Sequence, residues 1–344
     1  MNAVAHATAQ QTPVQLAEPA RPPRVVAGSG RGGTTWILDA LARENALRPV
    51  FEPLHPQGVP SAAGFAYACD DGNAMPDGCE AFFTDVFNGR LHTLWSNYRV
   101  RRDRLTPRLV TLSSTTLVRQ FYRRWRKLGR NRAQFRPLLA AEQCLVKLIR
   151  GNLMLDWLHE RFAARTVLVV RHPGAVVESQ MRLSGNDWDP QRILAAYTSQ
   201  PAFAHRYGAR CSELLAQPMS KAQAHAAVWC IENQLPLESR QPGSFRVVFY
   251  EKLLEAPERE WRRMADWLEL PNVPSEAVRK APSQQVSEVS KGERLDLAHK
   301  PGWMQRLEQG DRNQVQAVLT AFGVEAYRMD DPMPADCSAA TNDS

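Results

Sequence analysis

A glycine-rich stretch near the amino terminus has the spacing of a phosphate-binding loop. Residues 28–35 read GSGRGGTT, so that four residues separate Gly28 from Gly33 and two threonines follow. Backbone N–H groups in such a turn point at an anion, and the dipole of a following helix adds to the attraction. Thr34 replaces the lysine that a nucleoside triphosphatase carries here. Arg31 lies inside the loop instead, and a guanidinium can donate two hydrogen bonds to one oxyanion.

A second cation follows an apolar segment that in a nucleoside triphosphatase would end in a magnesium-binding aspartate. The run TVLVV (166–170) is followed by Arg171. A cation at this place repels a metal ion and attracts another phosphate. The two features together predict a ligand with two anionic ends and no obligatory Mg²⁺.

Five apolar segments alternate with helical patterns and would place both cations at one edge of a sheet. The segments are rich in valine and leucine without clean alternation, which is typical of buried parallel strands. They are residues 24–28, 49–53, 143–149, 165–170 and 244–250. The helical patterns cover residues 34–46, 151–162, 173–183, 220–235 and 256–269. This order predicts a three-layer α/β/α fold of the P-loop type, built on a central parallel sheet.

The chain is predicted to form one domain with loose ends. Its 344 residues and 44% hydrophobic content suit a globular protein with a sizeable core. We assign residues 24–330 to this domain and interpret residues 58–142 as an insertion that caps the sheet and sets acceptor selectivity. Residues 1–23 and 331–344 are interpreted as a disordered and a loose tail.

Nothing in the sequence indicates export or membrane insertion. No apolar run approaches the roughly 18 residues that span a bilayer. The amino-terminal segment also lacks the apolar core of a signal peptide, so we predict a cytoplasmic protein. The six cysteines show no metal-ligand spacing and are interpreted as reduced packing residues. A disulfide between Cys69 and Cys79 remains the alternative for an oxidising compartment.

Several motifs in this order resemble those of the sulfotransferases that use 3′-phosphoadenosine 5′-phosphosulfate (PAPS). GSGRGGTTW (28–36) is similar to their 5′-phosphosulfate loop, G-x-x-R-S-G-T-T-W. VLVVRHPGAVVESQM (167–181) resembles their 3′-phosphate motif, in which a serine follows the arginine by eight residues. VVFYEKLLEAPERE (247–260) is similar to Y-E-x-L-x-x-x-P. Two motifs in order are more specific than one, so a merely tight turn at 28–35 becomes the weaker interpretation.

The resemblance implies PAPS as sulfuryl donor, 3′,5′-adenosine bisphosphate as product, and no required metal. A terminal sulfuryl group carries less charge than a γ-phosphate, so backbone amides and Arg31 can suffice. Arg171 and Ser179 would hold the 3′-phosphate. The residues implied around the 5′-phosphosulfate are Gly30, Arg31, Gly32, Gly33, Thr34, Thr35 and Trp36.

The sequence also departs from the family pattern. Gly32 stands where the family usually has serine, and His172 replaces the commoner aspartate of R-D-P. The carboxyl-terminal motif is reduced to HKPGW, in which Lys300 is a candidate phosphate ligand. For Trp36, packing in the core is favoured over stacking on a base.

Transfer to a hydroxyl or amine also requires a base that takes the acceptor's proton. VFEPLH (50–55) follows the second predicted strand and offers Glu52 and His55 at the edge where the loop lies. Glu52 is favoured as the base because many sulfotransferases have a similar F-E-P. Arg31 would stabilise the charge on the transferred group. A structural ion pair is the alternative for Glu52. Lys147 is either a strand-end lysine or an active-site charge.

Residues 115–129, TTLVRQFYRRWRKLG, have the pattern of a basic amphipathic helix with Leu117, Phe121, Trp125 and Leu128 on one face. Such a helix can lie on an anionic membrane or guide a lipid-linked or acidic acceptor. A solvated face that covers the core is the favoured interpretation. Nucleic acid is not an expected partner, since no recognition motif is present.

The acceptor stays open among small-molecule, carbohydrate, peptide and lipid-like hydroxyls or amines, as does the oligomeric state. Two other functions also stay open. One is a P-loop kinase or nucleoside triphosphatase that takes its lysine from elsewhere, with Lys147 as the candidate. The other is an inactive nucleotide-binding scaffold.

Overall fold

A computed structural model describes residues 21–72, 75–102, 105, 114–183, 188–280 and 302–335. Five parallel strands form one sheet in the order β2-β3-β1-β4-β5. The strands are β1 (Arg24–Gly28), β2 (Arg48–Phe51), β3 (Cys144–Leu148), β4 (Arg165–Val170) and β5 (Phe245–Phe249). All five predicted strands are confirmed, and the predicted parallel sheet with them. The loop after β1 lies at the centre of the sheet because β1 pairs with both β3 and β4.

The helices flank and cap this sheet. The longer ones are α1 (Thr34–Glu44), α2 (Cys79–Phe87), α4 (Ser114–Phe135), α5 (Leu155–Phe162), α6 (Pro173–Met181), α7 (Pro190–Thr198), α8 (Pro201–Leu215), α9 (Lys221–Ser239), α11 (Pro257–Trp267) and α14 (Gln309–Ala321). The shorter ones are α3 (Leu94–Tyr98), α10 (Tyr250–Glu255), α12 (Glu276–Lys280) and α13 (Gly302–Arg306). The helix predicted over 256–269 is α11, which begins at Pro257 because a residue before proline disfavours the α conformation.

Alternate strand residues enter two separate cores, which confirms the α/β architecture. Val26 and Val167 pack in one core with residues of α1 and α11, including Trp261. Val25 and Leu168 pack in the other, against helices α5, α6 and α9. A strand that is buried on both faces needs apolar side chains at every position. The absence of alternation in the sequence follows from this arrangement.

The buried cysteines are free thiols. Cys69 and Cys79 lie in the insertion without a bond between them, and burial raises the pKa of both to about 12. The packing interpretation therefore holds for them. In the described part of the chain, no helix has the length and apolar character needed to cross a membrane.

A buried ion pair fixes the insertion against the core. Arg99, which follows α3, donates to Asp39 of α1 through both terminal nitrogens, with Nη1 at 3.0 Å from Oδ2. The guanidinium lies between the rings of Phe51 and Phe135, at 4.8 and 4.5 Å from their centroids. Because Phe51 ends β2 and Phe135 ends α4, this one side chain joins the sheet to two helices of the insertion.

We expect Asp39→Ala to lower the free energy of unfolding by about 3–5 kcal/mol, because it leaves the Arg99 charge buried without a partner. Chemical denaturation of both proteins measures the difference. Asp85→Ala is the matched control, since its ion pair with Arg90 is exposed, and it should change stability far less. A loss below about 1 kcal/mol for Asp39→Ala would show that the pair does not hold the insertion.

Candidate active site

The loop between β1 and α1 has a backbone that most of its glycines are needed to form. Gly33 adopts a left-handed conformation with φ at 91°, and a side chain there would meet the Tyr250 ring at 2.4 Å. A side chain on Gly30 would meet the Trp188 ring at 2.2 Å. Arg31, which is not glycine, also has a positive φ of 72°. The loop is therefore compressed between two aromatic rings and strained at its one cation.

The loop and the end of β4 bring the predicted cations together. Arg31 Nε donates to the Ser179 hydroxyl of α6 at 2.9 Å. Arg171 Nη1 donates to the backbone oxygen of Arg31 at 3.0 Å. The residues implied for the two ends of the ligand are thus directly bonded to one another, although 140 residues separate the two arginines.

This cluster has the electrostatics of an anion site. Burial and the like charge of Arg171 lower the pKa of Arg31, while the more distant Glu178 and Glu52 act in the opposite direction. Among the described residues, no carboxylate forms an ion pair with Arg31 or Arg171. The Nε atom of Arg171 is buried and has no hydrogen-bond partner in the same part of the chain. An oxyanion would satisfy this nitrogen and reduce the repulsion between the two arginines.

Helix α9 supports the loop from behind. Gln180 of α6 donates to the Gly30 carbonyl at 2.9 Å, and its oxygen lies 3.0 Å from His225 Nδ1. Asn233 donates to the Ser29 hydroxyl at 2.7 Å. Trp229 donates to the Arg171 carbonyl at 3.0 Å. No role could be predicted for these side chains from the sequence, because their contacts depend on how α9 packs.

Tyr250 and Glu251, the Y-E pair of the third motif, both support Arg171 and the residue that follows it. The Tyr250 ring packs on Gly33 and has the Arg171 guanidinium 4.7 Å from its centroid. Glu251 accepts from the backbone N–H of His172 at 2.9 Å and from the Tyr327 hydroxyl at 2.7 Å. The ring orients the second cation, and the carboxylate fixes the backbone that follows it.

Glu52 lies between two cations just after β2. Lys147 Nζ donates to Oε1 at 2.6 Å, and Arg150 Nη1 donates to Oε2 at 3.4 Å. Burial opposes ionisation, but the charges of Lys147 and Arg150 hold the pKa of Glu52 below its usual value. The carboxyl group is therefore ionised at neutral pH. The ion pair that was the alternative for Glu52 is present, and Lys147 is a buried partner of Glu52 rather than a solvated strand-end lysine.

His55 is buried beside this cluster with a fixed tautomer. Its Nδ1 accepts from the Gly58 backbone N–H at 3.0 Å, so the neutral ring carries its proton on Nε2. The ring lies 4.2 Å from that of Trp95. A ring held in this way donates from Nε2, and it can take a proton only by losing the bond to Gly58.

A cavity of about 700 Å³ opens next to these side chains. His55 and Arg150 form part of its wall, together with Tyr67, whose hydroxyl accepts from Arg150 Nε at 3.1 Å. Other polar groups on the wall are Gln57, Asp71, Arg192, Ser199 and Gln200, among alanine, proline and isoleucine side chains. Most of the wall comes from residues 56–76 and from α7, α8 and their junction, so the insertion contributes more than a third of it.

Four of the eight described non-glycine residues with a positive φ lie in the glycine loop and around these groups. Glu52 has a φ of 43°, Arg150 of 73° and Tyr67 of 68°, like Arg31 in the loop. Each is a non-glycine residue in the left-handed region, which costs about 1–3 kcal/mol. Such strain persists only where the surrounding structure holds the residue in place, and these four residues lie in the glycine loop and beside the cavity.

Comparison with known proteins gives the family. The sequence profile described as "Sulfotransferase family" matches residues 23–274. The chain belongs to the sulfotransferase family. Transfer of a sulfuryl group is therefore its general chemistry. No curated protein matches the chain.

Three solved structures similar to this sulfotransferase are themselves sulfotransferases. One is the sulfotransferase domain from the curacin biosynthetic pathway, with 13% identity, a TM-score of 0.40, and coverage of 88% of this chain and 98% of that one. Another is the sulfotransferase domain from the Synechococcus PCC 7002 olefin synthase, with 14% identity, a TM-score of 0.38, and coverage of 91% of this chain and 98% of that one. The third is the sulfotransferase STF1 from Mycobacterium tuberculosis H37Rv, with 16% identity, a TM-score of 0.36, and coverage of 88% of this chain and 77% of that one.

Two of the departures of this sulfotransferase from the family pattern, at Gly32 and His172, have local explanations. A side chain on Gly32 would meet the Ser29 carbonyl at 2.8 Å, the same oxygen that accepts from the Gly32 N–H. His172 caps α6, because its Nδ1 accepts from the Gly174 N–H at 3.0 Å. Burial lowers the pKa of His172 to about 4, so the ring is neutral and its Nε2 donates to backbone carbonyls of Arg328 and Asp331.

The remaining predicted residues lie at the start of α1. Thr34 is buried and Thr35 half-buried in its first turn, directly after the loop. Trp36 packs edge-on against Tyr250 and Trp261 and donates to the Arg279 carbonyl at 2.8 Å. The packing interpretation of Trp36 is thus supported. Lys300 lies outside the described residues.

Glu232 is a site residue that sequence reasoning missed. It lies in α9 and is almost fully buried. Burial raises the pKa of Glu232 to about 7, and the Ser29 hydroxyl, the charge of Arg150 and the Tyr197 hydroxyl act in the opposite direction. The carboxyl group thus interacts with Ser29 of the glycine loop and with the charge of Arg150 on the cavity wall. Its only sequence signal was a charged residue directly after the apolar run AAVWCI (226–231).

We expect the stability of Glu232→Gln relative to wild type to increase with pH. The folded protein binds a proton up to a pKa of about 7, whereas the ordinary value is 4.5. Wild type therefore loses stability as the pH rises through this window, and glutamine has no charge to bury. Chemical denaturation at about pH 5 and 8 should show a relative gain of about 2–3 kcal/mol.

Glu238→Gln is the control for this experiment, since Glu238 is an exposed glutamate of the same helix. The relative stability of that variant should not follow the same trend. A difference between wild type and Glu232→Gln that stays constant from acid to alkaline pH would contradict the assignment.

Proposed function

We propose that this sulfotransferase transfers a sulfuryl group from PAPS to a hydroxyl or amine of an acceptor bound in the cavity. The observation that supports this most is the cluster of Arg31, Ser179 and Arg171. Two arginines without a carboxylate partner among the described residues lie beside a glycine loop, and one guanidinium nitrogen is buried and unsatisfied. A ligand with two separate anionic groups fits this arrangement, as the sequence predicts.

The loop residues and the end of β4 would hold the two ends of the donor. Arg31 and the N–H groups of Gly30 to Thr35 would hold the 5′-phosphosulfate at the start of α1. Arg171 and Ser179 would hold the 3′-phosphate. Bound PAPS supplies an activated sulfuryl group, and the protein contributes charge stabilisation and positioning. Lys147 is not available to replace the missing loop lysine, because it is bonded to Glu52.

We assign the role of general base to Glu52 and not to His55. Glu52 is an ionised carboxylate whose charge raises the pKa of Arg31. It accepts a hydrogen bond from Arg150, which also lines the cavity. A hydroxyl or amine held against Arg150 would place its proton near the carboxylate, with Lys147 balancing the charge. His55 presents an N–H instead, so it would donate to the acceptor. Its part would be orientation.

The cavity fits a small or terminal acceptor group with polar substituents. Its volume of about 700 Å³ lies within the range of ordinary ligand pockets. Arg150, Arg192 and Asp71 provide charge, and the alanines and prolines provide apolar contact. We therefore favour a metabolite, a sugar or the polar end of a lipid-like molecule as acceptor.

The kinase and scaffold alternatives make different predictions about ligands. We expect 3′,5′-adenosine bisphosphate without metal to raise the melting temperature of the wild-type protein. A ligand at about 100 times its dissociation constant stabilises by about 2.7 kcal/mol. The Arg171→Ala variant should lose most of this shift, while Arg90→Ala, which removes an exposed arginine of the insertion, should keep it. Stabilisation by ATP with Mg²⁺ and not by the bisphosphate would favour the kinase.

Glu52→Gln should lower kcat at least about 100-fold, because the acceptor's proton then has no carboxylate to receive it. The readout is release of 3′,5′-adenosine bisphosphate with an acceptor found by screening sugars, phenols and lipid head groups. The variant should still bind the bisphosphate. The variant is also expected to be less stable, since Lys147 and Arg150 lose their counter-charge.

His55→Gln is the matched comparison, and we expect it to raise KM more than it lowers kcat. A Glu52→Gln enzyme that is less stable but keeps more than about a tenth of wild-type kcat would make Glu52 a structural ion pair only. Absence of turnover by wild type with every acceptor, alongside bisphosphate binding, would favour the scaffold.

A further inference from the structure

Helix α4 presents three different faces. The core face holds Leu128, Asn131 and Phe135, which are buried, and Asn131 donates to the Tyr98 carbonyl at 2.9 Å. A second face is apolar and a third is basic, and both are exposed. The pattern predicted that Phe121 and Trp125 would share a face with Leu117 and Leu128 and cover the core. In the structure Leu128 is buried and Leu117 is partly buried, whereas Phe121 and Trp125 are exposed, so that prediction is wrong for the aromatic pair.

The apolar face is large and exposed to solvent. Its other members lie three, four and seven residues after the first, which places them on one side of a helix. They are Val118, Phe121, Tyr122 and Trp125, with 69%, 42%, 63% and 49% of their surfaces exposed. These four are the exposed large hydrophobic residues of the described chain. Their concentration on one helix indicates an interaction surface, since single exposed apolar residues are normally scattered.

The basic face lies next to the apolar one, on a helix whose total charge equals that of the whole protein. Arg119, Arg123, Arg126 and Arg130 are exposed at spacings of four, three and four residues. Counted over all its positions, α4 contains seven basic residues and no acidic one. The chain as a whole has a net charge of +7, so the other residues together are neutral. The positive charge of the protein is thus localised on the helix that also exposes its aromatic side chains.

We propose that α4 docks this enzyme on an anionic lipid bilayer. The helix would lie in the plane of the surface, with Val118, Phe121, Tyr122 and Trp125 at the boundary of head groups and acyl chains and the arginines at the level of the lipid phosphates. Nucleic acid would bind the basic face but leave four large apolar side chains in water. A second copy of the chain would bring two strongly positive helices together. An anionic bilayer satisfies both faces at once.

The anchoring of α4 makes this docking compatible with the fold. Phe135 packs on Arg99, and Asn131 holds α3, so the carboxyl-terminal half of the helix is fixed to the insertion. The side chains that would enter the bilayer make no contribution to the buried core. The surface therefore needs no rearrangement of the protein in order to be used. It also differs from the residues assigned to donor and acceptor, so the proposal does not depend on the proposed reaction.

Vesicle flotation of the full-length chain tests the proposal directly. We expect binding to vesicles of phosphatidylcholine with about 30% phosphatidylglycerol and not to phosphatidylcholine alone, and weaker binding at about 0.5 M salt than at 0.1 M. Arg123→Glu/Arg126→Glu should weaken binding at least about thirtyfold, because each basic residue near an anionic surface contributes about a factor of five. Phe121→Ser/Trp125→Ser should also weaken it, even at the lower salt concentration.

Arg259→Glu/Arg262→Glu is the matched control, because it makes the same change of charge on the exposed side of α11. This variant should bind vesicles almost like wild type. Equal loss in both arginine variants would mean that net charge alone drives binding and would overturn the proposal. Vesicle binding by Phe121→Ser/Trp125→Ser as strong as that of wild type would also overturn it. A third contrary outcome is a wild-type protein that does not bind vesicles but forms a dimer in sedimentation velocity, where Phe121→Ser/Trp125→Ser is a monomer. Thermal melting checks that each variant is folded.

Discussion

The proximity of Arg31 and Arg171, which have no carboxylate partner in the described chain, is the constraint on which the rest of the site depends. Two guanidinium groups repel each other, and burial adds to the cost of keeping Arg31 charged. The fold holds them together through a carbonyl and a hydroxyl, which are dipoles rather than charges. Dipoles orient an arginine without neutralising it. The positive potential therefore remains available for an anionic ligand, whereas a carboxylate partner would have cancelled it.

The opposite solution is used a short distance away, where charge is balanced inside the protein. Glu52 would be neutral in an apolar pocket, but Lys147 and Arg150 keep it ionised. The same cations make it a weaker base than a carboxylate that is merely desolvated. A low pKa keeps the carboxylate deprotonated at neutral pH, but it also lowers the affinity of that carboxylate for a proton. Proton transfer to Glu52 becomes easier if an anionic donor bound at the loop partly offsets the two cations.

Local sequence patterns predicted the sheet and the loop because their causes are local. A strand buried on both faces must be apolar throughout, and a loop that packs under Tyr250 and Trp188 must contain glycine. The cap role of His172 and the position of Glu232 could not be read in this way, because both depend on contacts with distant segments. For α4 the helical period of the apolar residues was predicted correctly, but which of these residues face the core was not. Amphipathic spacing shows that a helix has an apolar stripe, but the tertiary contacts of Leu128 and Phe135 decide which stripe is buried.

Arg150 connects the two halves of the site. It lies on the cavity wall, donates to the Tyr67 hydroxyl and to Glu52, and lowers the pKa of Glu232. Glu232 in turn interacts with Ser29 in the donor loop. A change of charge at either end of this chain of contacts alters the free energy of ionisation at the other. Because Arg150 and Tyr67 are also strained, these contacts have one well-defined geometry. The cavity and the anion site are therefore one electrostatic unit, and the insertion that supplies much of the cavity wall acts on the donor loop through Arg150.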